Sequence, residues 1–307
     1  MRFLTRMIAA LILAAGTAAP AAAEQACTIR VESLQGTDWR IKGFDLLDRA
    51  PAQAQFIVNF KHVSGPACEF VPQIAVPDRT PGLKGPGNDR APYTLTAGDN
   101  SSGIKVTGAS SALVPTAQGA VIALQPGGSR SVTYTLFVPV EGIKSDGSYE
   151  QDIEINALPV GSTMGAFGVL LARLGVDVTP SARLGLAGSY RLNGSQAVID
   201  LGELQTGPVG APLQLRVNST SRYDLTIESR NGGKLMIPGT DWAVAYALSV
   251  GGMAVPLAGG SQTVEPPSSK GLARTALPMQ FTITGDPTRQ RAGTYEDVLT
   301  ISVTPRV

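Results

Sequence analysis

Few residues of this 307-residue chain could do chemistry. The only histidine is His62, so any nucleophile activated by an imidazole would have to be built on it. It stands just before Ser64-Gly65-Pro66, where a surface or rim position near a cysteine is the simpler reading. There is no Gly-x-Ser-x-Gly elbow, no His-Glu-x-x-His pair and no phosphate-cradling glycine loop. The stretch Gly82-Leu83-Lys84-Gly85-Pro86-Gly87 has glycines and a lysine but no following Ser or Thr, and reads as an exposed loop. Carboxylates remain, since a glycosidase needs two of them facing across a cleft. Asp38, Asp45, Asp48, Asp200, Asp241 and Asp297 show no pairing by spacing. By alternation Asp297 shares an apolar face with Tyr295 and Leu299, which requires either hydrogen-bond partners or a place at the rim, and the rim is the reading adopted. No catalytic, cofactor-binding or metal-binding set emerges, and the chain is read as a non-enzyme.

Cys27 and Cys68 are the only cysteines. Their meaning depends on the first 23 residues, where Arg2 and Arg6 precede an apolar run from Met7 to Ala15 and small residues close on Ala21-Ala22-Ala23. That is a secretory signal, with cleavage between Ala23 and Glu24. In an exported protein an even pair of cysteines is read as a disulfide before a metal site. Closing a loop of this length removes about 4 kcal/mol of unfolded-state entropy. Without the leader, 23 Lys and Arg face 24 Asp and Glu, so no basic field is available for nucleic acid. No later segment offers about 20 uninterrupted apolar residues for a spanning helix.

The elements that must position these residues are strands. Thirty-five glycines, 22 prolines and 16% charged residues describe short strands and many turns. The length after the leader exceeds what one core usually holds, which predicts two domains. In the first half, Cys27 to Val31, Trp39 to Phe44, Gln55 to Phe60 and Ser131 to Val138 alternate. Between Pro72 and Gly128, prolines 72, 77, 81, 86 and 92 predict edge strands and long loops rather than central sheet. In the second half, Arg183 to Ala187, Ala197 to Leu201, Leu213 to Val217, Tyr223 to Ile227, Val244 to Val250, Met279 to Ile283 and Tyr295 to Val303 alternate. Asn231-Gly232-Gly233 and Gly251-Gly252 are turn signals, the latter for a two-residue hairpin. Seven short strands with turns at this spacing predict an immunoglobulin-like sandwich; a barrel or jelly roll would show the same pattern. The expected layout is a leader over 1–23, an N-terminal sandwich over 24–160, a linker feeding a strand over 161–180, and a C-terminal sandwich over 181–307.

One strand occurs twice. Gly147-Ser148-Tyr149-Glu150-Gln151-Asp152-Ile153-Glu154-Ile155-Asn156-Ala157-Leu158-Pro159 aligns without a gap to Gly293-Thr294-Tyr295-Glu296-Asp297-Val298-Leu299-Thr300-Ile301-Ser302-Val303-Thr304-Pro305. Tyr149, Ile153, Ile155 and Ala157 share one face, as do Tyr295, Leu299, Ile301 and Val303. Each copy is expected to close a domain, and only two residues follow Pro305, too few for a further strand.

This repeat, the run Ala197-Val198-Ile199-Asp200-Leu201-Gly202-Glu203-Leu204, and Tyr223-Asp224-Leu225-Thr226-Ile227-Glu228-Ser229-Arg230-Asn231-Gly232-Gly233-Lys234-Leu235 followed by Val244-Ala245-Tyr246-Ala247-Leu248 together resemble the spore coat protein U family, the pilin-like subunits of archaic chaperone–usher pili. The resemblance covers most of residues 180 to 307 and, more weakly, both ends of the first half. The second half departs from the family in having no cysteine, and the first in its proline-rich middle. The resemblance implies all-β, pilin-like sandwiches, the C-terminal one lacking a strand that a partner supplies. Its acceptor core would include Tyr223, Leu225, Ile227, Phe281, Ile283, Tyr295, Leu299, Ile301 and Val303. It implies as partners a periplasmic chaperone, an outer-membrane usher, the donor strand of the next subunit, and a surface or host ligand met by the first half. Only Glu24-Gln25-Ala26 precede Cys27 after cleavage, too short for a donor strand of roughly ten residues, so a place at the fibre tip and a role in attachment or biofilm formation are expected. The rival readings are a periplasmic assembly chaperone and a secreted enzyme with β-sandwich modules.

Overall fold

The computed structural model describes residues 27–77, 82–87, 89–97, 103–106, 117–118, 120–161, 165–259, 261–266 and 271–306. The expected leader, its expected cleavage pair Ala23 and Glu24, and much of the stretch from 78 to 119 lie outside the described residues. The described chain is all-β, with only single turns of 3-10 helix between strands.

The first half contributes β1 (Thr28–Ser33), β2 (Asp38–Phe44), β3 (Ala52–Ser64), β4 (Cys68–Ala75), β5 (Tyr93–Ala97), β6 (Gly103–Val106), β7 (Ile122–Leu124), β8 (Ser129–Val138), β9 (Gly147–Pro159) and β10 (Gly168–Val178). One sheet runs β1-β3-β8-β5-β6 and the other β7-β4-β9-β10-β2, with β10 and β2 parallel. Alternation drives the packing: Phe56, Val58 and Phe60 of β3 point inward with Tyr134 and Leu136 of β8. Trp39 is fully buried and stacks on Phe56 at 4.9 Å between ring centroids. The disulfide is formed between Cys27 and Cys68, with Cα atoms 6.2 Å apart, and ties the start of β1 to the start of β4, hence one sheet to the other.

Three expectations for this half are corrected. Residues 161–180 are not a linker feeding the second domain, because β10 pairs with β9 along its length and with β2 on its far side. Its Leu170, Ala172, Leu174, Val176 and Val178 complete the first core, which is what their alternation is for. Pro72 lies in β4, a central strand, at a point between its two short partners on one side, β7 at 68–70 and the strand pair at 73–74. The Gly82 to Gly87 stretch is not an exposed loop: Leu83 is fully buried, and a Cβ on Gly85 would lie 2.1 Å from the ring of Tyr149. The glycine there makes room for a tyrosine rather than a phosphate.

The second half contributes β11 (Ala182–Gly188), β12 (Leu213–Ser219), β13 (Tyr223–Ser229), β14 (Lys234–Met236), β15 (Ala243–Val250), β16 (Met253–Val255), β17 (Ser261–Val264), β18 (Ala273–Ile283) and β19 (Leu299–Pro305). One sheet runs β11-β12-β18-β15-β14, with β16 paired to β15, and it faces the sheet β17-β13-β19. The turn between β15 and β16 is the one read at Gly251-Gly252, both residues having positive φ, 59° and 80°. Two strand expectations are corrected. Ala197 to Leu201 is not a core strand; Gln196–Val198 pairs only with Arg191–Asn193 in an exposed hairpin, and Ile199 and Leu201 follow it as half-buried, unpaired chain. The last strand begins at Leu299 rather than Tyr295, because Glu296 bridges to Met236 instead of continuing along β13.

Candidate functional site

The two copies of the repeated strand sit in different surroundings. In the first half β9 has neighbours on both edges, β4 and β10, and Tyr149, Ile153, Ile155 and Ala157 are at most 1% exposed. In the second half, among the described residues, β19 pairs on one edge only, with β13, from Tyr223↔Pro305 to Ser229↔Leu299. The aligned residues Tyr295, Leu299, Ile301 and Val303 are half-buried. Strand β11 is likewise paired on one edge, to β12, and its inward-leaning Ala182, Leu184 and Leu186 are half-buried.

These two strands are the borders, or lips, of an open edge of the second core, termed the groove below. Their Cα atoms come within 8 Å, yet they share no ladder hydrogen bonds. Exposure falls within one strand step on either side: Leu184 and Leu186 lie opposite buried Val217 and Leu215, while Ile301 and Val303 lie opposite buried Ile227 and Leu225. What is open to solvent is therefore the rim of an apolar core together with two rows of unpaired backbone groups. Such an arrangement can accept an extended segment through main-chain bonds and alternate apolar side chains.

Both ends of the groove are anchored. At the β19 end Asp297 is half-buried, and its carboxylate accepts from Ser229 Oγ at 2.6 Å, Asn231 N at 3.0 Å, Val298 N at 2.7 Å and Tyr246 Oη at 2.7 Å. The rim expectation is thus replaced by a fully partnered one. Burial, followed by the bond to this carboxylate, pushes the Tyr246 phenol above its usual range. At the β11 end the junction with the first half is clasped. Asp45 accepts from Ser181 Oγ at 2.7 Å, from Leu47 N at 2.9 Å and from Arg183, which also reaches Asp48. Burial would raise the Asp45 carboxyl, but the bonds from Ser181, Leu47 and Arg183 outweigh it and hold it below the usual carboxylate range. Leu272 N donates to Lys144 O across the same junction.

The predicted acceptor residues divide between groove and interior. Leu299, Ile301 and Val303 lie half-buried on β19 and Tyr295 just before it, Leu225 and Ile227 are fully buried on the neighbouring β13, Tyr223 is buried at the end of β13, and Phe281 and Ile283 lie on β18, two strands from β11. The missed residues are Ala182, Leu184 and Leu186; their alternation was visible, but nothing in it distinguishes a lip from an ordinary strand. His62 is buried rather than at a surface or rim. Its Nε2 faces Pro66 O at 2.8 Å and its Nδ1 faces Gly127 N at 3.5 Å, so both ring nitrogens meet main chain, not a nucleophile. One of its ring nitrogens and the two sulfur atoms lie within 4.8 Å of one another, but the sulfurs are committed to the disulfide. Asp152 is exposed and paired with Arg173.

No protein-family profile matches the chain, and no curated protein matches it in sequence. Among solved structures it is similar to a chain of the CsuC–CsuE chaperone–tip adhesion subunit pre-assembly complex from the archaic chaperone–usher Csu pili of Acinetobacter baumannii (11% identity, 91% of this chain and 99% of that one, TM-score 0.46). It is also similar to the CupB6 tip adhesin of Pseudomonas aeruginosa (11% identity, 92% and 94%, TM-score 0.37) and to CfaE, the adhesive subunit of the CFA/I fimbria of enterotoxigenic Escherichia coli (12% identity, 88% and 92%, TM-score 0.34).

Proposed function

We propose that the chain is a subunit of a chaperone–usher pilus, joined to the fibre through its second half by a strand that another polypeptide lays between β11 and β19. The observation that carries this reading is the contrast between two copies of one strand, sealed by β10 in the first half and open in the second. A sandwich with such an opening needs a partner to remain soluble. During export that partner is a periplasmic chaperone, which delivers the subunit to an outer-membrane usher; in the fibre it is the donor strand of the next subunit. The first half supports a place at the tip, because the corresponding edge of β9 is already covered by β10. It would be the part turned outward to a surface or host ligand, giving attachment and biofilm formation.

The test is surface display of the full chain in a strain carrying a chaperone and usher that export it. Ile301→Asp puts a charge on the groove wall and should abolish co-purification with the chaperone and display. Val169→Asp, on the solvent face of β10, should leave both intact. Normal display of the Ile301→Asp chain would overturn the reading.

A further inference from the structure

The histidine beside the disulfide has no part in the pairing chemistry of the second half. Cys27 immediately precedes β1, His62 lies on β3 opposite Ile29 of β1, and Cys68 opens β4 opposite Leu124 of β7. The turn between β3 and β4 brings His62 to Cys68, and the β1–β3 ladder adds Cys27, so three strand ends converge on a ring nitrogen and two sulfurs within 4.8 Å of one another. His62 is 3% and Cys27 8% exposed. Cys68 is half-buried and its neighbours Pro66 and Ala67 are exposed, which leaves a way in from solvent through the turn.

The bonds around the ring fix its tautomer. Pro66 O can only accept, so the contact at 2.8 Å puts the ring hydrogen on Nε2. Nδ1 then carries the lone pair, and the main chain hardly uses it, since Gly127 N donates to it only at 3.5 Å. One ring nitrogen held by a carbonyl while the other stays a free donor of electrons is the arrangement of metal-ligating histidines.

We propose that Cys27 and Cys68, as the dithiol, form with His62 a site for one thiophilic cation of the Zn2+ class, which the chain exchanges for its disulfide on oxidation. Binding forms two Zn–S bonds and one Zn–N bond and releases the two thiol protons, with water in the fourth position. Oxidation by a disulfide reagent takes two electrons from the two thiolates, closes the Cys27–Cys68 bond, reduces the reagent to its thiols and releases Zn2+. Two thiolates cancel the charge of the ion, so a neutral complex sits where a bare charge would be costly. The donor set also selects against Mg2+ and Ca2+, which take oxygen. Two Zn–S bonds at a tetrahedral angle set the sulfurs roughly 3.8 Å apart, a span that cysteines with Cα atoms 6.2 Å apart reach by side-chain rotation. Metal and disulfide thus tie the same two strand starts in the reduced and oxidised chain.

The test reduces the full chain with a phosphine, which supplies the two electrons and adds no thiol, and titrates it without oxygen with Zn2+ or Co2+. Expected are one ion per reduced chain, none on the disulfide form, thiolate-to-cobalt charge transfer with tetrahedral visible bands, and release of Zn2+ on adding oxidised glutathione. His62→Gln should weaken Zn2+ binding at least ~10-fold. X-ray absorption of the Zn2+-loaded chain, which needs no variant, should show two sulfurs at about 2.3 Å and one imidazole nitrogen at about 2.0–2.1 Å. A reduced chain that keeps its fold and takes up no Zn2+ overturns the proposal, as does one that unfolds on reduction and is not restored by Zn2+. Missing imidazole scattering, or equal affinity in a folded His62→Gln chain, overturns the part given to His62. Undiminished binding by the chain carrying Cys27→Ser and Cys68→Ser places the ion elsewhere and overturns the site.

Discussion

The same substitution made at equivalent places in the two copies of the repeated strand should cost different amounts. Ile155 is fully buried under β10, and Ile301 is half-buried at the open edge. Ile155→Ala removes three carbons, about 2.4 kcal/mol of transfer free energy at about 0.8 kcal/mol per methylene equivalent. The closed surroundings also leave a cavity, so the expected loss is about 3–4 kcal/mol. Ile301→Ala removes the same atoms from a wall already partly in water and leaves no sealed cavity, so the expected loss is about 1 kcal/mol. The assay is urea unfolding of residues 24–307, with Trp39, fully buried in the first core, reporting on that half and amide exchange in β13 reporting on the second. Equal losses in the two halves would mean that the β19 edge is sealed in the free protein, and the groove argument would fail. The difference also has a dependence of its own. When a strand occupies the groove, the loss caused by Ile301→Ala should rise toward that of Ile155→Ala, because the cavity is then closed.

Two further outcomes are expected. Removing the disulfide by Cys27→Ser with Cys68→Ser should lower the stability of the first half by up to about 4 kcal/mol, seen by calorimetry as a shift of one transition while amide exchange in β13 is unchanged. Asp297→Ala leaves the donors Ser229, Asn231, Val298 and Tyr246 without their shared acceptor and should cost about 3 kcal/mol of second-half stability; ultraviolet titration should show the Tyr246 phenol moving down toward its usual range, and an unchanged titration would refute the bond.

How much of this was legible follows from what local pattern can encode. Alternation located β3, β8, β12, β13, β15 and the end of β18, and Gly251-Gly252 marked its hairpin, because these depend on a two-residue period and on positive φ. The same alternation holds in 170–178, within the stretch expected to be a linker feeding a strand, but period says which face is apolar and not which sheet receives it. Ala197 to Leu201 failed for a related reason: its apolar residues lean on the second core without any strand to pair with. Asp297 was placed by alternation and misjudged by environment, because its partners Ser229, Asn231 and Tyr246 come from other parts of the chain. The alignment of the two copies was readable, but the expectation that each closes a domain fails for the first, because β10 follows it in the same core, and the difference in burial depends on that neighbour, which only one copy has.

The charges on the exposed edges support the same division. A sheet edge that must stay unpaired is usually guarded by charged side chains, which make pairing with another chain unfavourable. In the first half the edge strand β1 carries Arg30 and Glu32, and the edge strand β2 carries Asp38, Arg40 and Lys42. The two lips of the groove are different. Strand β19 has no charged residue from Leu299 to Pro305, and β11 has only Arg183, at the clasped end, where Asp45 and Asp48 neutralise it. Two unguarded apolar edges beside one another would be an aggregation hazard in a chain that stays alone, and selection removes such edges cheaply with a single lysine or proline. Among the described residues the two lips carry one neutralised charge where β1 and β2 carry five, the pattern that edges used for pairing, as proposed, would have.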